Sequence, residues 1–189
     1  MAQYNGYRFV PHDSYDQFRN ATYGNGYNVD YQSGNQCWDY IALLYWQYGL
    51  FFVTRPSGNG SAYMCWTISR NINSQAPFVS IEGANNIRRG DILVFNKGGG
   101  STNGHVAIAD EDYNGSGYIY IVGENQGGYN GNVNRTKRSM TYFLGIFRNT
   151  RWTSSPTPPE PPTPTPSVGQ KTRKFPWAIA LHHWDNFKH

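Results

Sequence analysis

Cys37 opens a strongly apolar stretch, CWDYIALLYWQYGL, whose composition predicts a helix beginning at the thiol. A helix start exposes unpaired amide N–H groups and the positive end of the helix dipole, and both favour a thiolate. Amide cleavage by a thiolate also needs a group that takes the proton and later returns it to the leaving amine, a task suited to histidine. Of five histidines, only His105 lies at a strand start amid glycines, in GHVAIA. Glu124 follows a second strand-like run, YIYIVGENQGG. A thiol, an imidazole and a carboxylate, each at the end of a regular element, are the parts of a nucleophile, base and orienting group. Burial as an inert core residue is the competing reading of any lone cysteine. The polar step Asn35-Gln36 before Cys37 and the Gly-rich loop before His105 argue against it here.

Two further side chains stand near this set. Gln126, like Glu124, alternates with Asn125, so on a continuing strand the two share one face. Gln36 admits two readings, a second oxyanion donor beside the Cys37 amide or a turn hydrogen bond. The preceding loop, NVDYQSGNQCWD, puts Asn28, Asp30, Gln32, Gly34 and Asp39 at offsets similar to positions 1, 3, 5, 7 and 12 of an EF-hand. All offer oxygen to a hard cation such as Ca2+. Ser33 at the turn-glycine position and Asp39 in place of a glutamate depart from that pattern, and a loop in which Asp39 caps the helix is the alternative.

The elements that must carry these residues read as helices first and strands afterwards. HDSYDQFRN predicts a short helix capped by Asp13 or Ser14, and a further helix is expected near 61–73, with Cys65 as a buried apolar residue. Strands are expected at 91–95, 105–110, 118–125 and 142–147, with Asn114-Gly115 as a hairpin turn. Asp91 reads as structural, and Arg88, Arg89 and the RTKR run at 135–138 read as solvated turns. The order makes an α+β domain with N-terminal helices on an antiparallel sheet.

The succession NQCWDY, RRGDILVF, GHVAIADE and YIYIVGENQ resembles the CHAP family of cysteine, histidine-dependent amidohydrolases/peptidases, many of which are bacteriophage peptidoglycan hydrolases. The resemblance covers roughly residues 5 to 150. It implies a papain-like fold with Cys37 as nucleophile, His105 as general base and Glu124 orienting the imidazole, with Gln126 a secondary candidate for that role. It also implies calcium in the loop before Cys37 and bacterial peptidoglycan as the substrate. The bond cut, muramoyl-L-alanine or a stem or cross-bridge peptide, stays open. A papain-like protein peptidase and a silent wall-binding module are the rival readings.

Composition bounds the rest. In 189 residues, 15 Tyr, 10 Phe and 6 Trp supply core area despite 21 Gly, and Trp38, Trp66 and Tyr129 are expected along a sticky cleft. The net charge of +4 is divided about equally between residues 1–152 and 153–189, without the dense basic stripe that nucleic-acid binding needs. The start, MAQYNGYRFVPHD, lacks the pattern of a secretory signal, and no apolar run approaches ~18 residues, so neither export by a signal nor a membrane span is expected. With the resemblance, this implies synthesis in a host cytoplasm and action on the wall after release, or carriage in a virion. Residues 1–152 are expected to form the catalytic domain. Residues 153–168 contain the seven prolines of TSSPTPPEPPTPTPS, a polyproline-II spacer, and 169–189 are too short to fold alone, part of a wall-binding or self-association module.

Overall fold

The computed structural model describes residues 11–57, 60–99, 101–127 and 131–152, with the backbone of three two-residue strands outside them. In chain order these elements are β1 (Gln3–Tyr4), β2 (Tyr7–Arg8), α1 (Tyr15–Thr22), β3 (Tyr27–Asn28), α2 (Cys37–Trp46), α3 (Met64–Thr67) and α4 (Arg70–Asn73). Then follow β4 (Phe78–Ile81), β5 (Ile92–Phe95), β6 (His105–Ala109), β7 (Tyr118–Gly123), β8 (Asn134–Ser139), β9 (Phe143–Asn149) and β10 (Arg173–Lys174). Six of them form one antiparallel sheet in the order β4-β9-β5-β6-β7-β8. β1 pairs with β2, and β10 runs parallel to β3. The Pro-rich segment and nearly all of 169–189 lie outside the described residues.

Alternation decides which side chains go where. Ile92, Val94, Val106, Ile108, Val122 and Phe147 join a core with α1 and α2, while Leu93, Phe95, Ala107, Ala109, Ile121 and Ile146 form a second cluster. Helix α2 is buried from Asp39 to Tyr45, and that buried length seats its first residue against the sheet. Ser14 caps α1 by accepting from the Gln17 amide. The helix expected near 61–73 is split into the two short helices α3 and α4. Cys65 is fully buried there.

Trp66 belongs to this core and not to a cleft. Its ring packs edge-on against Phe147 with centroids 5.3 Å apart. A Cβ on Gly145 would come within 2.1 Å of the indole, so only glycine lets the strand pass beneath it. Tyr129 lies outside the described residues.

Two arginine readings change. RTKR is an edge strand, most of β8, because its backbone completes the ladder with β7. Arg89 is no solvated turn: its side chain is 5% exposed and pairs with Asp16 at 2.5 Å and Asp110 at 3.6 Å. Asp91 is structural as expected, accepting from Arg148 and from the Arg88 amide.

Asp110, at the end of β6 away from His105, was not singled out by the sequence. Its buried carboxylate accepts from Tyr15 Oη and Arg19 Nε at 2.9 Å each and from Arg135 Nε at 2.7 Å. Removing one partner of a buried charge network leaves the others desolvated and unpaired, typically at a cost of about 3–5 kcal/mol. Asp110→Ala is therefore expected to lower unfolding free energy by about that amount in urea titration. A change within ~0.5 kcal/mol, the range of ordinary surface substitutions, would show the cluster to be solvated.

Candidate active site

Helix α2 delivers Cys37 to the edge of a cleft of about 420 Å3 lined by Gln32, Ser33, Gln36, Trp38, Thr54, Ser61, Ala62 and Asn103 among others. The sulfur accepts from the Val106 amide, which places it one residue from His105 on β6. β6 and β7 are neighbours, so His105, Glu124 and Gln126 meet at one end of the sheet. Gly104, at φ +69°, makes the turn into His105, and a Cβ there would lie 2.4 Å from the Phe95 carbonyl oxygen.

The loop before Cys37 is tied down by Asp39, which is fully buried. Its Oδ1 accepts from the Val29 amide at 2.7 Å and the Asp30 amide at 3.3 Å, and Oδ2 accepts from Gln36 N–H at 2.8 Å. The helix-capping alternative is thus realised by Asp39. Of the two readings of Gln36, the structure forms the turn bond, Nε2 donating to Ser33 O at 2.6 Å. Gln36 Oε1 accepts from Asn125 Nδ2 at 2.9 Å. Asn125, with φ 54°, therefore ties the end of β7 to the helix start, a link the sequence reading did not make.

The thiol is not primed to ionise as the helix start alone suggested. Burial pushes Cys37 up to about 11, outweighing the Val106 and Trp38 amides that favour the thiolate. Burial likewise depresses His105 to about 3, with Arg138 adding to the effect and Gln126 opposing it. At neutral pH the resting pair is therefore a thiol and a neutral imidazole. Glu124, fully buried and facing the like charge of Asp39, is pushed up to about 10 and is a neutral acid.

The expected bond between Glu124 and the imidazole is absent. Glu124 Oε1 accepts from the Tyr27 amide at 2.5 Å, its Oε2 has no hydrogen-bond partner, and neither has His105 Nε2. The polar side chain acting on the imidazole is Gln126. Its Nε2 donates to Gly123 O at 3.1 Å and Asn134 O at 2.8 Å, which consumes both amide hydrogens and leaves the buried Oε1 as the free acceptor. Oε1 and His105 Nε2 are complementary buried atoms that fall short of a fully formed hydrogen bond.

This arrangement of helix-borne cysteine and strand-borne histidine coincides with residues 22–125, which match the CHAP domain profile. The chain belongs to the CHAP domain family. The matched segment contains Cys37, His105 and Glu124, and Gln126 follows it directly. This CHAP domain chain is 33% identical over 132 residues, 68% of its length, to a D-alanyl-L-alanine endopeptidase of Streptococcus phage B30. It spans 29% of that protein. Its fold is similar to the crystal structure of the wild-type endolysin LysIME-EF1, with TM-score 0.53 and 22% identity over 71% of this chain and 62% of the other. Among the described residues, no helix of the CHAP domain chain is long and apolar enough to cross a membrane.

Proposed function

We propose that the chain hydrolyses an amide bond of bacterial peptidoglycan through a Cys37 thioester, as part of a phage endolysin or virion-associated lysin. The observation that carries this reading is Cys37 at the cleft, its sulfur on the Val106 amide next to His105 and Gln126 acting on the imidazole, in a domain of the CHAP family. The Nε2–H tautomer, for which Gln126 Oε1 is the available buried acceptor, leaves Nδ1 as the base. It takes the thiol proton as Sγ attacks the scissile carbonyl, so the thiolate forms during attack and not beforehand. The Cys37 amide, one of the helix-start N–H groups that α2 cannot pair within itself, meets the oxyanion. The imidazolium then gives its proton to the leaving amine as the C–N bond breaks, and water, deprotonated by His105, releases the acid and regenerates the thiol. Purified Gram-positive walls should clear while casein remains intact. Casein cleavage without wall clearing favours the protein-peptidase reading.

Gln126 is the positioning residue in this account and Glu124 a support for the β3 backbone. Gln126→Ala should lower kcat on the order of tenfold to a hundredfold with KM nearly unchanged. Glu124→Gln keeps an acceptor for the Tyr27 amide and should retain most activity. Because Glu124 is protonated when folded up to about pH 10 but only up to about 4.5 when unfolded, wild-type stability should fall as pH rises through that window. Glu124→Gln should flatten this slope in melts between pH 5 and 9. The reverse ranking of the two variants in kcat would return the orienting role to Glu124.

The same reading keeps Ca2+ at the loop before Cys37. The residues fit: Asn28 Oδ1 is buried without a hydrogen-bond partner, and the Asp30 charge opposes ionisation of the buried Asp39. Asn28, Asp30, Gln32, the Gly34 carbonyl and Asp39 would hold the ion, which supplies charge neutralisation and stiffens the segment leading to Cys37. Only two carboxylates contribute, and among the described residues no cluster of three or more His, Cys, Asp or Glu occurs. At hundredfold excess over Kd, calcium should stabilise the fold by about 2.7 kcal/mol, and magnesium should do so poorly. A melting temperature that ignores chelator in both wild type and Asp30→Ala would leave the loop as a helix cap alone.

A further inference from the structure

Arg138 is left over by the chemistry above. Among the described residues, the other buried or half-buried arginines, Arg19, Arg70, Arg89, Arg135 and Arg148, each pair with a carboxylate. Arg138 is half-buried too, and it has no such partner. Its guanidinium lies over the Phe95 ring, 4.7 Å from the centroid. Phe95 stands directly opposite His105 in the β5–β6 register, so the cation flanks the imidazole. β8 carries it there from the outer edge of the sheet, and it does not line the cleft beside Trp38 and Ser61.

A desolvated guanidinium stacked on an aromatic face keeps its in-plane N–H fork free, the geometry that binds carboxylates. The leaving amine must lie next to His105 to receive its proton, so the portion of substrate beyond that amine extends on the side of the imidazole. Resting on the hydrolase reading given above, we propose that Arg138 is a specificity residue that binds a carboxylate carried by the leaving-group half of the peptide substrate.

The test uses the full chain and pairs of cross-bridged peptides that differ only in whether the leaving half ends in a carboxylate or a carboxamide. Wild type should favour the carboxylate by about tenfold or more in kcat/KM, as expected for a charge-assisted hydrogen bond. Arg138→Gln should erase that preference, so that the two peptides are cut with equal kcat/KM, and Arg138→Lys should retain part of it. Circular dichroism of both variants checks the fold. Equal cleavage of both peptides by wild type, or equal losses on both in Arg138→Gln, overturns the role of Arg138 while leaving the hydrolase reading intact. Failure of wild type to cut either peptide or purified wall removes that reading itself and this proposal with it.

Discussion

Cys37→Ala should abolish wall lysis, with a loss on the order of 10^4-fold or more, while the melting temperature stays within a few degrees of wild type. The expected size follows from removing the atom that forms the covalent intermediate: at about 1.4 kcal/mol per decade it amounts to at least ~5 kcal/mol of barrier. The fold should tolerate the change because Cys37 is half-buried at the cleft, and its contacts with the Val106 and Trp38 amides are weak hydrogen bonds to sulfur. Cys37→Ser should be nearly as inactive, since a hydroxyl is far harder to deprotonate than the thiol for which the site is built. Cys65→Ser separates the two cysteines: it is free, fully buried and packed in the core, so it should cost stability and leave the chemistry in place. Equal activity loss in the Cys37 and Cys65 variants at equal folded fraction would contradict a single nucleophile.

His105→Ala should match Cys37→Ala in activity, and the double variant should be no worse than either alone, because the two groups act as one unit. A second signature comes from protonation. His105 is depressed to about 3 in the fold against an ordinary 6.5, so between those values the unfolded chain binds a proton that the folded chain refuses. Stability from this residue is fully present above about pH 6.5 and is lost as pH falls toward 3. His105→Ala should remove that part of the acid slope in denaturant titrations. An acid slope unchanged in His105→Ala would show that the imidazole takes up its proton alike in the folded and unfolded chain.

The places of Cys37 and His105 in the fold were legible in the sequence. A thiol at a helix start and an imidazole between a Gly-rich turn and an apolar strand are local features, and α2 and β6 begin at those very residues. The strands with clean apolar content, β5, β6, β7 and β9, were legible for the same reason. β4 and β8 were not: NRTKRS carries no apolar alternation, and it becomes a strand because β7 offers a free edge. The partner of the imidazole was hidden because spacing alone puts Glu124 and Gln126 on one face. What separates them is a long-range fact, the Tyr27 amide meeting Glu124 across 97 positions. The ionisation state was hidden likewise, since the helix start argues for a low thiol pKa and only the packing around it reveals the larger, opposite effect of burial. Arg138 joined the site for a reason no local pattern holds, the register that sets Phe95 opposite His105.

Thiol-dependent hydrolysis of a peptidoglycan amide can be read out by mass spectrometry of purified sacculi digested with the wild-type chain and with Cys37→Ala. One new free amine and one new carboxyl at a single type of amide linkage, each product pair heavier by one water, are expected in the wild-type digest alone. Intact amide linkages in the wild-type digest, or the same fragments released by Cys37→Ala, would contradict it.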